Sequence, residues 1–294
     1  MRILLLCLFS LLAACQSHQA AAPPAPIAPQ GRDHTDFGVI RELATGRALT
    51  PQELVEHLAG APRVLVGEQH DNPDHHALQL WLLRELAAQR PQGSLLMEML
   101  NPDQQARVDA AQAASRAGQP PADPYQALAW QANWDWGVYG AVVNYALRQP
   151  YPLLAANLDR SQILQIYQQR PMLSGEASTT PQVQATLLDD IRGSHCGLLP
   201  EALLPAMLAV QQQRDRRMAE RLLAAPTPAL LLAGAFHVRK DLGVPLHLKD
   251  LGAAQGNVVL VLAEAGKTVS AENADYVWYT AAQPEQDHCA QLRQ

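Results

Sequence analysis

Nothing in this sequence is apolar for long enough to cross a membrane as a helix. Residues 3–12 form an apolar run, but a hydrocarbon core of about 30 Å needs about 20 such residues. Excess positive charge is missing too. The 22 basic residues are outnumbered by 28 acidic ones, a net charge of -6, so no global field draws in polyphosphate and no nucleic-acid partner is expected. There is no internal repeat. Charged residues make up only 17% of the chain against 48% hydrophobic ones, a balance that excludes a wholly disordered protein. The length, 294 residues, is ample for a buried core in one large domain or two small ones.

What is present begins with an export pattern. Met1-Arg2 supplies a short positive start, residues 3–12 the apolar stretch, and Leu12-Ala13-Ala14-Cys15 small residues before a cysteine. This order resembles a bacterial lipoprotein signal, which implies removal of residues 1–14 and acylation of the Cys15 thiol, leaving a membrane-anchored protein. An ordinary cleaved signal with an incidental cysteine is the alternative. Ser17, two positions after the cysteine, resembles an outer-membrane address. Residues 15–34, with Pro23, Pro24, Pro26 and Pro29, read as a flexible, solvated tether, and residues 35–294 as the folded unit. Cys196 and Cys289 are the cysteines left in that unit, and an oxidising compartment favours a disulfide between them. Unrelated thiols, or metal ligands beside His195 and His288, are the rivals.

From residue 50 onward, short aliphatic runs alternate with long helical patterns, which predicts an α/β domain with a mainly parallel central sheet flanked by helices. Strands are expected over 63–66, 94–97, 153–156, 229–233 and 258–262, with a last edge strand over 276–280. Helices are expected over 74–90, 102–114, within 125–148 with a break near Gly137, and over 161–170, 181–192 and 200–225. Asp74 reads as the cap of its helix, with His75 and His76 in the first turn. Arg214, Arg216, Arg217 and Arg221 read as a solvated face. His18, His34, His57 and His247 read as bland.

Four of the predicted strands end in polar groups: Gly67-Glu68-Gln69-His70, then Glu98, then Asn157 and Asp159, then Gly234-Ala235-Phe236-His237. In a parallel α/β sheet the carboxyl ends share one rim where ligands bind, so these residues are expected to converge. Glycine lets the backbone turn away from a strand so that a histidine three residues on points back. His70, His237, Glu68 and Glu98 offer the nitrogen and oxygen donors favoured by a divalent metal such as Mn, Fe, Co or Zn. A metal there would activate water, with the glutamate outside the ligand set as general base. The competing interpretation is a hydrogen-bonded pair of histidines in a cleft without metal.

Trp130, Trp134 and Trp136, with Tyr139 and Tyr145, read first as a helix-packing core. A flat porphyrin also needs aromatic walls, and a tyrosinate is able to hold ferric haem. The chain has no Cys-x-x-Cys-His word, so covalent haem attachment is excluded.

Taken together, residues 64–73, Glu98-Met99-Leu100, Ala155-Ala156-Asn157 and Gly234-Ala235-Phe236-His237 resemble the ChaN family of bacterial haem-binding lipoproteins, which shares a superfamily with the Tiki metalloproteases. The resemblance runs from about residue 35 to the end. It implies an outer-membrane lipoprotein of the cell envelope engaged in iron acquisition, binding haem non-covalently, as a homodimer with tyrosine ligation. All seven tyrosines are open as the ligand, with Tyr139 singled out by its aromatic surroundings. The Tiki relationship implies instead a metal at His70 and His237, with Glu68 and Glu98 nearby, and peptide-bond hydrolysis. A scaffold that has lost its chemistry is a third outcome.

Overall fold

A single mixed sheet of eight strands, described by a computed structural model over residues 19–287 and 289–290, runs in the order β2-β1-β8-β7-β3-β6-β4-β5. Its strands are β1 (Ile40–Glu42), β2 (Ala48–Leu49), β3 (Arg63–Glu68), β4 (Ser94–Met97), β5 (Leu153–Ala155), β6 (Ala229–Gly234), β7 (Asn257–Glu264) and β8 (Tyr276–Thr280). The signal segment and Cys15 lie outside the described residues. Every pairing from β8 across to β5 is parallel, and β1 pairs antiparallel with both β8 and β2. The α/β class with a mainly parallel sheet is therefore as expected.

The helices are α1 (Pro51–Ala59), α2 (Pro73–Gln89), α3 (Gln105–Arg116), α4 (Pro124–Ala127), α5 (Trp136–Ala146), α6 (Arg160–Gln169), α7 (Pro181–Ser194), α8 (Leu204–Ala224), α9 (Ala235–Val238) and α10 (Val244–Asp250). They cover both faces of the sheet, as parallel strands buried on both sides require. On one face Val64, Val66, Leu95, Met97, Leu230 and Leu232 pack with the apolar stripe of α2 and with α5. On the other, Leu65, Leu96, Leu231 and Ala233 pack with Met218, Ala219 and Leu222 of α8. The alternation of neighbours between the two cores is the period-two geometry of a strand.

Several expectations need correction. β8 occupies its predicted residues but is not at the edge, because β1 and β2 lie outside it. Those two strands are too short to show an alternation in sequence. Asn72, not Asp74, caps α2, its side chain accepting from the Asp74 N–H. The Asp74 carboxylate is occupied instead by the backbone N–H groups of Ile27 and Ala28. That bond belongs to a wider departure from the tether reading. Trp81 donates to the Ala21 carbonyl, Ala28 is fully buried, and Gln30 forms a bridge with Ala282, so the Pro-rich stretch is strapped to the domain from residue 20. Polyproline-like backbone has no internal hydrogen bonds, and here its polar groups are satisfied by side chains of the fold.

His247 and Arg216 are not surface groups. His247 is fully buried and Arg216 is 6% exposed, with the guanidinium on the His247 ring and the Ser174 carbonyl. The Cys196 and Cys289 sulfurs are bonded to one another with Cα atoms 5.5 Å apart, which ties the C-terminal segment to the turn between α7 and α8. No helix among the described residues is long and apolar enough to cross a membrane.

Candidate functional site

The register of three adjacent strands assembles the site. Glu68 at the end of β3 lies directly beside Gly234 at the end of β6, and the Glu98 N–H just past β4 bonds to the Leu232 carbonyl of β6. Parallel strands in register place their carboxyl ends at one height, so the residues that follow them meet at one rim. Asn157, after β5, supports this rim by donating to the Glu98 carbonyl at 3.0 Å. Asp159 does not join it. Its carboxylate caps α6, accepting from Gln162 N at 2.8 Å, a role that the polar word after β5 does not distinguish from a ligand.

Two histidine–carboxylate assemblies stand at the rim. In the first, His70 Nδ1 lies 2.8 Å from Glu68 Oε1, and the Tyr139 hydroxyl donates to the same oxygen at 2.7 Å. His76 Nε2 is 3.2 Å from Glu68 Oε2 and 2.9 Å from the His70 carbonyl. Trp134 meets the His70 ring edge-on with centroids 4.9 Å apart. Glu68 is buried, whereas the His70 side chain is 44% exposed. Burial pulls the His70 pKa down, but the hydrogen bond and charge of Glu68 outweigh it and the net shift is upward.

In the second assembly, His237 bridges two carboxylates. Its Nε2 lies 3.2 Å from Glu98 Oε1 and its Nδ1 contacts Asp215 Oδ1. The other Glu98 oxygen accepts from Gly234 N–H at 2.8 Å. Burial opposes charge on His237, yet Glu98 and Asp215 together push its pKa up to about 10. For Glu98, burial acts upward and is overridden by His237 and His70, which hold the carboxyl well below the usual range. Burial pushes Asp215 the other way, above its ordinary value. This half of the site is a buried imidazolium between carboxylates, the pairing that makes a buried charge tolerable.

The two assemblies open into one cavity of about 380 Å³, lined by Glu68, His70, Gln211, Gly234, Phe236 and His237 among others. His70, His237, Glu68 and Glu98 therefore do converge. They do so as hydrogen-bonded pairs: among the described residues no three His, Cys, Asp or Glu side chains are grouped so as to hold a metal ion. The divalent-metal expectation finds no support in this arrangement.

Tyr139, singled out above as a haem ligand, is corrected. It is 1% exposed, and burial followed by the Glu68 charge drives its phenol far above the ordinary tyrosine range. A phenol that must donate to a carboxylate cannot offer an open phenolate to a porphyrin. Of its aromatic neighbours, Trp130 stacks edge-on with Trp136 and Trp134 with Tyr139, the helix-packing core expected of them.

Asp215 and Gln211 were not visible as site residues. They sit one turn apart on α8 within a run of arginines and glutamines, and only their four-residue spacing, which puts both on one helix face, carried a signal.

No curated protein matches the chain. Residues 54–248 match the family model described as "Haem-binding uptake, Tiki superfamily, ChaN". Among solved structures, the chain is similar to ChaN of Campylobacter jejuni, reported with cofacial haem binding, at 32% identity and a TM-score of 0.75, covering 84% of this chain and 98% of that one. An erythromycin esterase mutant in its open conformation is a more distant likeness, at 13% identity and a TM-score of 0.47 over 86% of each chain. With the family model spanning most of the α/β unit and the Campylobacter jejuni structure sharing its fold nearly end to end, this chain belongs to the ChaN haem-binding uptake family of the Tiki superfamily.

Proposed function

We propose that the protein is a lipid-anchored envelope protein that binds haem non-covalently for iron acquisition, with Tyr167 as the iron ligand. The observation that carries the ligand assignment is the state of α6. This helix buries none of its side chains, yet it presents Tyr167 between Leu164, 55% exposed, and the segment carrying Met172, 96% exposed. An exposed apolar face around a tyrosine is what a haem needs: walls for the porphyrin and an oxygen for ferric iron.

The other tyrosines are less suited. Tyr139 donates to Glu68, Tyr276 is hydrogen-bonded to His57, and Tyr151 and Tyr279 are buried. Tyr125 packs edge-on against Trp136, and Tyr145 lies beneath Arg84. Arg170, which closes α6 in the left-handed conformation, is one turn from Tyr167 and carries the charge that a haem propionate would pair with.

Haem is cargo in this reading, and the chain's part is to hold it reversibly. A single protein ligand leaves the other porphyrin face open. A second copy would cover it, which agrees with the cofacial haems of the Campylobacter jejuni relative. The anchor at Cys15 supports an outer-membrane location.

Titration of the purified protein with hemin is the test. A saturable Soret change is expected, weakened at least about tenfold in Tyr167→Phe and retained in Tyr139→Phe. No saturable change, or a titration indifferent to Tyr167, rejects the assignment. Mass spectrometry of the mature N-terminus tests the anchor, which an unmodified residue 15 would contradict.

A further inference from the structure

We propose that the face built from α1 and α2 is the surface held against the lipid bilayer, so that α6, with Tyr167, looks into the aqueous phase. The inference rests on Cys15 as the lipid-bearing residue and adds a direction to that anchor.

The direction comes from the proline-rich strap. The Ala21 carbonyl accepts from Trp81 Nε1 at 3.1 Å, and the Ala21 N–H donates to Glu85 Oε2 at 3.2 Å, both on α2. Further along, the Ile27 and Ala28 N–H groups reach Asp74 Oδ1 at the start of the same helix. Polyproline backbone advances about 3.1 Å per residue, or about 19 Å from Ala21 to Ile27, while an α-helix rises about 17 Å from Asp74 to Glu85. The two lengths match, so the strap runs antiparallel beside α2. Pro23, Pro24 and Pro26 line a groove with Ala77 and Leu78 of that helix, and their fixed φ angles reduce the entropy lost on docking. Nearer the N-terminus, the Ala20 N–H donates to Gln52 of α1, whose side-chain amide is bonded to Glu56. The chain leaves the domain between α1 and α2.

Cys15 to Ala20 is therefore the whole of the leash. A chain extends at most about 3.6 Å per residue, so Ala20 stands no more than about 18 Å from the lipid-bearing residue. Were residues 15–34 a free tether, the same limit would be about 70 Å and the domain could turn any face to the membrane. The strap removes that freedom.

The sheet lies between the strap and α6. Leu54 and Leu58 of α1 and Leu82 and Leu86 of α2 pack in the core on one face. On the other, α8 packs through Met218 and Leu222, and α6 lies along α8, with Ile166 and Gln169 sharing a pocket with Gln213 and Arg217. A leash this short on the α1–α2 side keeps the exposed Leu164 and Met172 of the opposite side out of the bilayer. Haem then reaches Tyr167 from water and not through the lipid.

The test places p-azidophenylalanine at one of three exposed positions, Glu56 on α1, Ala88 on α2 or Gln168 on α6, and follows its reaction with a bulky cyclooctyne-bearing polyethylene glycol. Acylated protein extracted from membranes is reconstituted in phosphatidylethanolamine/phosphatidylglycerol vesicles and compared with the same variant free in solution, each shown to be folded by its thermal transition. With the leash short against the polymer, the reaction at positions 56 and 88 is expected to slow at least about threefold on vesicles, and that at position 168 to stay within about 1.5-fold. Inserting about 15 Gly and Ser residues after Ser17 adds about 50 Å of reach and should abolish the difference. Equal slowing at the three positions, greater slowing at position 168, or a difference that survives the insertion overturns the proposal. An unacylated Cys15 rejects the anchor and not the direction: its thiol is then coupled to a maleimide-bearing lipid, and the same rates decide which face the strap presents to the bilayer.

Discussion

His75 and His247 are imidazoles that the fold keeps neutral. His75 accepts from Gln69 N–H through Nδ1 and meets Thr280 Oγ1 through Nε2, a set of partners that fits only one neutral tautomer. Burial lowers its pKa to about 3, with His76 adding to the effect. Burial, and then the Arg216 charge, lower His247 to about 4. Both values lie below the unfolded one of about 6.5, so the unfolded chain binds more protons, and stability is complete above that pH and lost as pH falls through the folded values. Between pH 6.5 and 4 the protein is therefore expected to lose stability on the order of 3 kcal/mol through His247 alone, at about 1.4 kcal/mol per unit. Urea denaturation at both pH values checks this, and a midpoint that does not move contradicts it. At this scale the sequence was informative about residue type and silent about environment. His247 looked like any other histidine because its burial comes from α8 and Arg216, which are distant in the chain.

Among the elements, β3 and α9 approach each other closely in the site. Gly67, one residue before Glu68, faces the start of α9: a Cβ would fall 2.4 Å from Val238 Cγ2 and 2.9 Å from the Ala235 Cα. Since Ala235 contributes backbone there, the clash is not relieved by a side-chain rotation. Gly67→Ala is expected to destabilise by about 1–3 kcal/mol, the usual range for overpacking, and to displace the Gly234–His237 turn. A lower denaturant midpoint is the readout, and an unchanged one refutes the packing argument. The elements legible in sequence were those with a strong period: β3, β4, β6 and β7 as aliphatic runs, α2 and α8 as long helices. β1 and β2 were missed because strands of three and two residues hold too few positions for an alternation. The helical pattern near Gly137 resolved into α4 and α5, with α5 starting at Trp136 under an Asp135 cap that accepts from Gly137 N–H. The cap, and not glycine flexibility, sets that boundary.

Over the whole molecule, the Cys196–Cys289 bond spans a sequence separation of 93 residues. In the chain-entropy model a loop of that size restricts the unfolded state by about 4 to 5 kcal/mol. Reduction is expected to lower the melting temperature by several degrees, and melting curves with and without reductant decide it; identical curves reject a stabilising role. α7, whose Leu187 and Ile191 line the cavity, ends two residues before Cys196, so the bond also anchors one wall of the site. The sequence alone determined the α/β class and that the two Gly-x-x-His words and Glu98 would end strands, because aliphatic periodicity and glycine are local signals. Only the tertiary structure decided that Glu68 pairs with His70 while Glu98 and Asp215 share His237, that Tyr139 is a buried donor, and that Tyr167 is only partly buried on α6. Those outcomes depend on the order and register of strands and on which helix covers which face, and both are set by packing between segments far apart in the chain.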